Sequence, residues 1–207
     1  FADDLPELAE QADYIITGPG EISFRELCAD LLNARPVAMS IIPGKTSKLD
    51  ELELPYAYYS DEDLRNRLIY VEASRGCPFK CEFCLSSLDK TAKAFELSRF
   101  LSAMGDLHQR GARNFKFIDR TFNLKVSSSV AILEFFLQRI DDNLYLHFEV
   151  IPDFLPDKLK QVLARFPPAS LQFEIGVQTF DPDIQQTISR RQDNDKTCAN
   201  LRWLREH

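Results

Sequence analysis

Three cysteines, Cys77, Cys81 and Cys84, stand within eight residues of one another. Thiols this close point to a metal. Spacers of three and then two residues let the sulfurs converge on one side of a tight loop, and Gly76 and Pro78 shape its entry. That geometry suits three corners of a cubic iron-sulfur cluster. A four-iron cluster with only three protein thiolates keeps one iron open, and an open iron can bind and polarise a small ligand rather than only pass electrons.

Other thiol chemistries fit less well. A zinc site usually takes four ligands in two paired half-sites, and beyond Cys81 and Cys84 there is no second C-x-x-C and no H-x-x-x-H. A disulfide framework does not suit crowded cysteines in a chain of ordinary composition whose start resembles no targeting peptide. The expected compartment is the cytoplasm. A four-cysteine ferredoxin loop needs one more thiol, and Cys28 and Cys198 lack the neighbouring Pro and Gly of such loops. Both read as small apolar residues on helices.

The segment Cys77-x-x-x-Cys81-x-Phe83-Cys84 resembles the signature loop of the radical S-adenosylmethionine (SAM) enzymes. The resemblance implies a [4Fe-4S] cluster on Cys77, Cys81 and Cys84 whose open iron chelates the amino and carboxylate groups of SAM. It implies one-electron cleavage to a 5′-deoxyadenosyl radical, and an electron donor such as flavodoxin or ferredoxin. The family's aromatic position, here Phe83, lies beside the adenine; Phe83 could equally shield the cluster from water.

The elements that must position this loop follow from periodicity. From residue 68 onward apolar strand segments alternate with amphipathic helices, the pattern of a parallel sheet with crossover helices. Strands are expected over 68–71, 114–118, 144–150 and 171–177, the first leading into the cysteine loop. Helices are expected over 95–109, from a cap at Ser127, over 157–166, from Asp181-Pro182 and from Asp195. The fold class is therefore α/β. The resemblance makes it a partial (β/α)6 radical SAM barrel, akin to the eightfold barrel, with about four β/α units here and the last two beyond residue 207.

Ligands of parallel α/β sheets collect at the carboxyl ends of the strands. Asp119 ends the second strand in Phe117-Ile-Asp-Arg-Thr-Phe-Asn123, which resembles the D-D-x-F segment of the cobalamin-type subgroup with Arg120 in place of the second Asp. A carboxylate there suits the SAM ammonium; the alternative is a turn cap. Glu149 near the end of the third strand needs a cationic partner if it points inward. Glu174-Ile-Gly-Val-Gln-Thr179 resembles the family's E-x-G-x-Q-[ST] segment, in which Glu174 and Gln178 reach the ribose or methionine part of SAM and Gly176 permits close approach. Arg190 resembles the arginine that faces the methionine carboxylate, and with Arg191 it can also be a solvated pair on the following helix. His108, His147 and His207 have no metal spacing.

At the amino end, Asp13-Tyr-Ile-Ile-Thr-Gly-Pro-Gly-Glu21 followed by Phe24 resembles the tail of the doubly wound cobalamin-binding domain of that subgroup, with Pro19 a departure from G-E-G-E. Phe24, Leu27, Cys28, Leu31 and Leu32 share a helix face. The expected organisation is a domain tail over 1–35, a linker over 36–67 whose Tyr56, Tyr58 and Tyr59 dock on a domain surface, and a radical SAM core over 68–207. Cobalamin joins the cofactors if the upstream domain binds it.

Bulk properties set the outer bounds. A chain of 207 residues, 44% hydrophobic and 28% charged, holds one sizeable core plus an appendage. It has no long apolar run, so no membrane span is expected. A formal charge of −7 argues against a broad basic nucleic-acid face. The chain begins with Phe and ends in a helical stretch without a closing signal, so a piece of a longer protein is expected. The leading function is reductive SAM cleavage at a [4Fe-4S] cluster, extending to cobalamin-dependent methyl transfer onto a substrate not legible here. The alternatives are a methylthiotransferase-like RNA modifier and a non-catalytic iron-sulfur or zinc protein.

Overall fold

Residues 1–53 and 54–207 form two units of a computed structural model that describes residues 10–88 and 91–207. In the first unit the apolar run folds as β1 (Ile15–Thr17), which leads through Gly18 and Gly20 into α1 (Glu21–Leu32) and on to β2 (Ile41–Pro43). The two strands pair in parallel, Ile15 beside Ile41. A Cβ on residue 44 would stand 2.2 Å from the Pro19 carbonyl oxygen and 2.5 Å from that of Thr17, so only glycine lets these backbones meet. Ser23 joins them, its hydroxyl donating to the Pro43 carbonyl (3.1 Å) and accepting from Lys45 N–H (3.0 Å). On the apolar face of α1 only Leu27 is buried; Phe24, Leu31 and Leu32 are exposed.

Residues 36–67 are not the plain linker expected, because β2 lies among them and the unit boundary falls at Glu53. Their second half belongs to the larger unit. A 3₁₀ turn (Pro55–Tyr58) precedes α2 (Asp61–Asn66), where Ser60 and Asp63 bond each other's backbone N–H in a reciprocal cap. Strand β3 (Ile69–Val71) follows. Its outer edge is covered by two tyrosines: Tyr56 Oη accepts from Glu72 N–H (2.8 Å) and Tyr59 Oη donates to the Tyr70 carbonyl (3.2 Å). Tyr58, expected to dock with them, is exposed.

A two-residue antiparallel pair, β4 (Ser74–Arg75) with β5 (Lys93–Ala94), brackets the cysteine loop. The repeating part then runs α3 (Leu97–Gln109), β6 (Asn114–Phe117), α4 (Val126–Leu137), β7 (Tyr145–Val150), α5 (Asp157–Leu163), β8 (Leu171–Ile175), α6 (Pro182–Thr187) and α7 (Asn194–Glu206). The main sheet has the order β3-β6-β7-β8, all parallel, so each strand lies beside its predecessor. This is the α/β architecture of four consecutive β/α units read from the sequence.

The sheet has two unlike faces because strand side chains alternate. Ile69, Val71, Phe115, Phe117, Leu146, Phe148 and Val150 pack against Phe100 and Met104 of α3, Leu133 and Phe136 of α4, and Leu159 of α5. The rings of Phe117 and Phe148 lie 4.6 Å apart and those of Phe148 and Phe122 4.1 Å apart. The opposite face is polar: Tyr70, Lys116, His147 and Gln172 stand side by side across the four strands.

Two helix starts differ from expectation. Helix α4 begins at Val126 after a 3₁₀ turn over Phe122–Leu124, with Lys125 at the cap and Ser127 already inside the helix. Ser129 Oγ instead donates to the Phe122 carbonyl, 2.6 Å away. Helix α7 is capped by Asp193, which accepts from Lys196 N–H, and not by Asp195. No helix among the described residues is long and apolar enough to cross a membrane.

Candidate functional site

The cysteine loop leaves β4 and returns to β5, so a short hairpin fixes both of its ends beside the carboxyl edge of the sheet. Gly76 takes φ +90, a left-handed value that a side chain resists, and turns the chain into Cys77. Cys81 is buried and Cys77 and Cys84 are half-buried. All three line one cavity of about 360 Å³. Its other walls come from the ends of β7 and β8, the segment after β6, and the turn after α6.

The cavity gathers most of the residues singled out from sequence. Phe83, Glu149, Glu174, Gln178 and Arg190 line it with the three cysteines, and so do Gly176 and Arg191. Phe83 is 54% exposed, so much of its ring is open. Glu149 has the cationic partner its position demands: Arg120 Nη1 lies 3.2 Å from its carboxylate. Glu174 stands beside Glu149 across β7 and β8, and its Oε2 meets Lys116 Nζ at 3.3 Å and His147 Nε2 at 3.4 Å. The imidazole lies beside the carboxylate, but its Nε2 makes no hydrogen bond.

Asp119 is the exception. It is 1% exposed and absent from the cavity wall; its carboxylate accepts from Ala73 N–H (2.9 Å) and Ser74 Oγ (2.6 Å). It therefore braces the turn between β3 and β4, outside the lining of the cysteine cavity. Burial pushes its pKa up to about 6, although the hydrogen bonds from Ser74 and Ala73 pull it down.

Two further expectations change in detail. A Cβ on Gly176 would stand 2.8 Å from Gln178 Nε2, so the missing side chain leaves room for the end of the Gln178 side chain. Gln178 itself has φ +67, a conformation uncommon outside glycine. Arg190 lies in the turn after α6, not on a helix. Its Nη2 donates to the Gly176 carbonyl, Nη1 stands 3.8 Å from Cys81 Sγ, and Nε donates to Gln192 Oε1 at 3.3 Å.

Several residues of the site carried no sequence signal. Asn123 is fully buried; its amide donates to the Ile151 and Phe154 carbonyls and its Oδ1 accepts from Ile151 N–H, which shapes the cavity wall over 151–154. Lys116 and His147 became site-supporting only through cross-strand register, although their alternation on the polar face was visible.

The donor set fits a multi-iron cluster. Three thiols face one hollow, and three thiolates on a four-iron cluster would leave one iron open toward it. Burial raises the Cys77 thiol above its ordinary value, a backbone bond at Phe79 opposes that, and Cys84 and Cys81 raise it further.

Comparison with known proteins agrees with this geometry. The fold superposes on the radical S-adenosylmethionine methyltransferase TsrM from Kitasatospora setae with a TM-score of 0.67 and 18% identity, over 94% of this chain and 44% of that one. That structure carries a tryptophan substrate and the SAM analog aza-SAM. A second TsrM structure, with cobalamin and a [4Fe-4S] cluster bound, matches with a TM-score of 0.67 and 17% identity. An uncharacterized methyltransferase of Pyrococcus horikoshii is 29% identical over 141 residues, which cover 58% of this chain and 31% of the relative. The chain thus spans less than half the length of these proteins. A profile of the Radical SAM superfamily matches residues 71–207, from the last residue of β3 through α7, and on that match the chain belongs to the Radical SAM superfamily.

Proposed function

We propose that this chain carries the catalytic core of a radical SAM enzyme, with a [4Fe-4S] cluster on Cys77, Cys81 and Cys84 and SAM in the adjoining cavity. The single observation that supports it most is that the three thiols and the Glu174-to-Gln178 segment, about ninety residues apart, line the same hollow. Such a cluster, when bound, supplies one electron to the sulfonium of SAM, whose C–S bond breaks to give methionine and a 5′-deoxyadenosyl radical.

The chain's own residues bind, orient and exclude water. Glu174, with Oε2 held by Lys116, can accept from a ligand hydroxyl or ammonium through Oε1. Gln178 and Phe83 complete the wall, Phe83 as a neighbour of the adenine or as a cover for the cluster. Glu149 and Arg120 add an ion pair, together without net charge, to the cavity wall.

Methyl transfer with cobalamin is the reaction class we favour. The support is that the relatives are described as methyltransferases and one TsrM structure contains cobalamin. Residues 10–53, with a β-α-β unit, would be the tail of the domain that holds it, and an electron donor of the flavodoxin or ferredoxin kind would serve the cluster. Cytoplasmic location is part of the same reading.

The test is anaerobic reconstitution of the full-length protein with iron and sulfide, reduction in the presence of SAM, and chromatography for 5′-deoxyadenosine. Wild type should form it and Cys81→Ala should not. An intact four-iron spectrum without any 5′-deoxyadenosine would sink the reading and leave a structural or electron-transfer cluster.

A further inference from the structure

The turn after α6 is fastened to the cysteine loop at three points, across more than a hundred residues of sequence. The Ile188 carbonyl accepts from Glu82 N–H (3.1 Å), Ser189 Oγ donates to Glu82 Oε1 (2.9 Å), and Arg190 Nη1 stands 3.8 Å from Cys81 Sγ. Cys81 is the most buried of the three cluster cysteines.

The turn is built for this contact. Ser189 holds φ +55, a left-handed conformation that a residue with a side chain adopts only where its surroundings dictate it. Helix α6 is set from its start by Asp181, which accepts from Asp183 and Ile184 N–H. The buried Gln185 ties the same helix to the Thr179 carbonyl and to Asn194. Together these fix where the guanidinium of Arg190 points.

Of the three arginines on the cavity wall, Arg120 is paired with Glu149 and Arg191 is exposed; among the described residues Arg190 alone reaches a cysteine sulfur. One face of its fork holds that sulfur, and the other holds the Gly176 carbonyl of the ligand-binding segment. A charged N–H donor on a thiolate draws electron density from it and favours the reduced cluster.

We propose that Arg190 is a positioning residue of the cluster: it donates an N–H···S hydrogen bond to the Cys81 thiolate, raises the reduction potential, and couples the Gly176 carbonyl to that sulfur. This rests on the reading of Cys77, Cys81 and Cys84 as cluster ligands. It differs from the sequence expectation, in which Arg190 serves the methionine carboxylate of SAM.

The experiment uses the full-length reconstituted protein, with the cluster potential followed by EPR in the absence of SAM and SAM affinity measured by equilibrium dialysis. Arg190→Gln should shift the potential to a more negative value and alter the EPR signal of the reduced cluster. Arg190→Lys, which keeps the charge but loses the fork, should recover part of that shift. If Arg190→Gln does not assemble a cluster, the Lys variant still decides: a wild-type potential in it overturns the proposal. An unmoved potential in both variants, with weakened SAM binding, likewise overturns it and returns Arg190 to the carboxylate role. A wild type that assembles no four-iron cluster overturns the reading of the cysteines together with this one, so the two failures differ.

Discussion

At the scale of single residues, Asp119 and Gly176 carry opposite lessons. Between pH 3.8 and about 6 the folded chain keeps a proton on Asp119 that the unfolded chain has released. Its contribution is therefore full below pH 3.8, falls as pH rises through that window, and is constant above it. Asp119→Asn can still accept from Ala73 N–H and can donate to Ser74 Oγ, so it should fold. Its stability relative to wild type should improve by on the order of 2–3 kcal/mol from pH 4 to pH 7, measured as urea midpoints across pH; parallel curves for the two proteins would refute the assignment. Gly176→Ala meets only the end of the Gln178 side chain, so the fold should survive while Gln178 is displaced from its place. SAM affinity should drop about tenfold, ~1.4 kcal/mol, in calorimetry, with little change in Tm. That the three cysteines face one hollow was legible from spacing alone, because so short a loop can turn its thiols to one side. The direction in which Asp119 turns was not, since a strand-end carboxylate can serve the turn beneath it or the cavity above it, and periodicity is silent on the choice.

Elements were legible where they are long enough to show a period. The four main strands and the helices of the core appear in the alternation of apolar residues, and Asp181-Pro182 marks the start of α6 correctly. The pair β4 and β5 was not seen, because two residues per strand carry no period. Strand β2 was hidden for a similar reason: three residues between Pro36 and Gly44 look like linker until β1 pairs with them. The caps at Lys125 and Asp193 displaced Ser127 and Asp195 by two residues each, the usual reach of tertiary context over a helix end. Asp181→Ala should cost about 1 kcal/mol and, since α6 has only six residues, most of the loss should be local. Hydrogen exchange should quicken over 182–190 and not in α3 or α4; uniform quickening would contradict a local cap.

For the molecule as a whole, one edge of the main sheet is closed and the other is open. Tyr56 and Tyr59 cover β3, whereas β8 has no further strand beside it among the described residues. Residues 1–207 expressed alone should self-associate through that edge, and sedimentation showing a monomer at high concentration would count against it. The strand order has another outcome, in time rather than in space. Because each strand pairs with the one made before it, the sheet can grow as the chain leaves the ribosome, without waiting for a distant partner. The clasp of residues 188–190 on Cys81 and Glu82 is different: it closes a loop of 106 to 109 residues. Until that length has been synthesised the three cysteines are present but their loop is unanchored, so, on the proposed function, insertion of iron and sulfide should follow synthesis of the unit and not accompany it. Nascent chains arrested before residue 188 should leave Cys81 open to rapid alkylation, and chains extended past α7 should protect it.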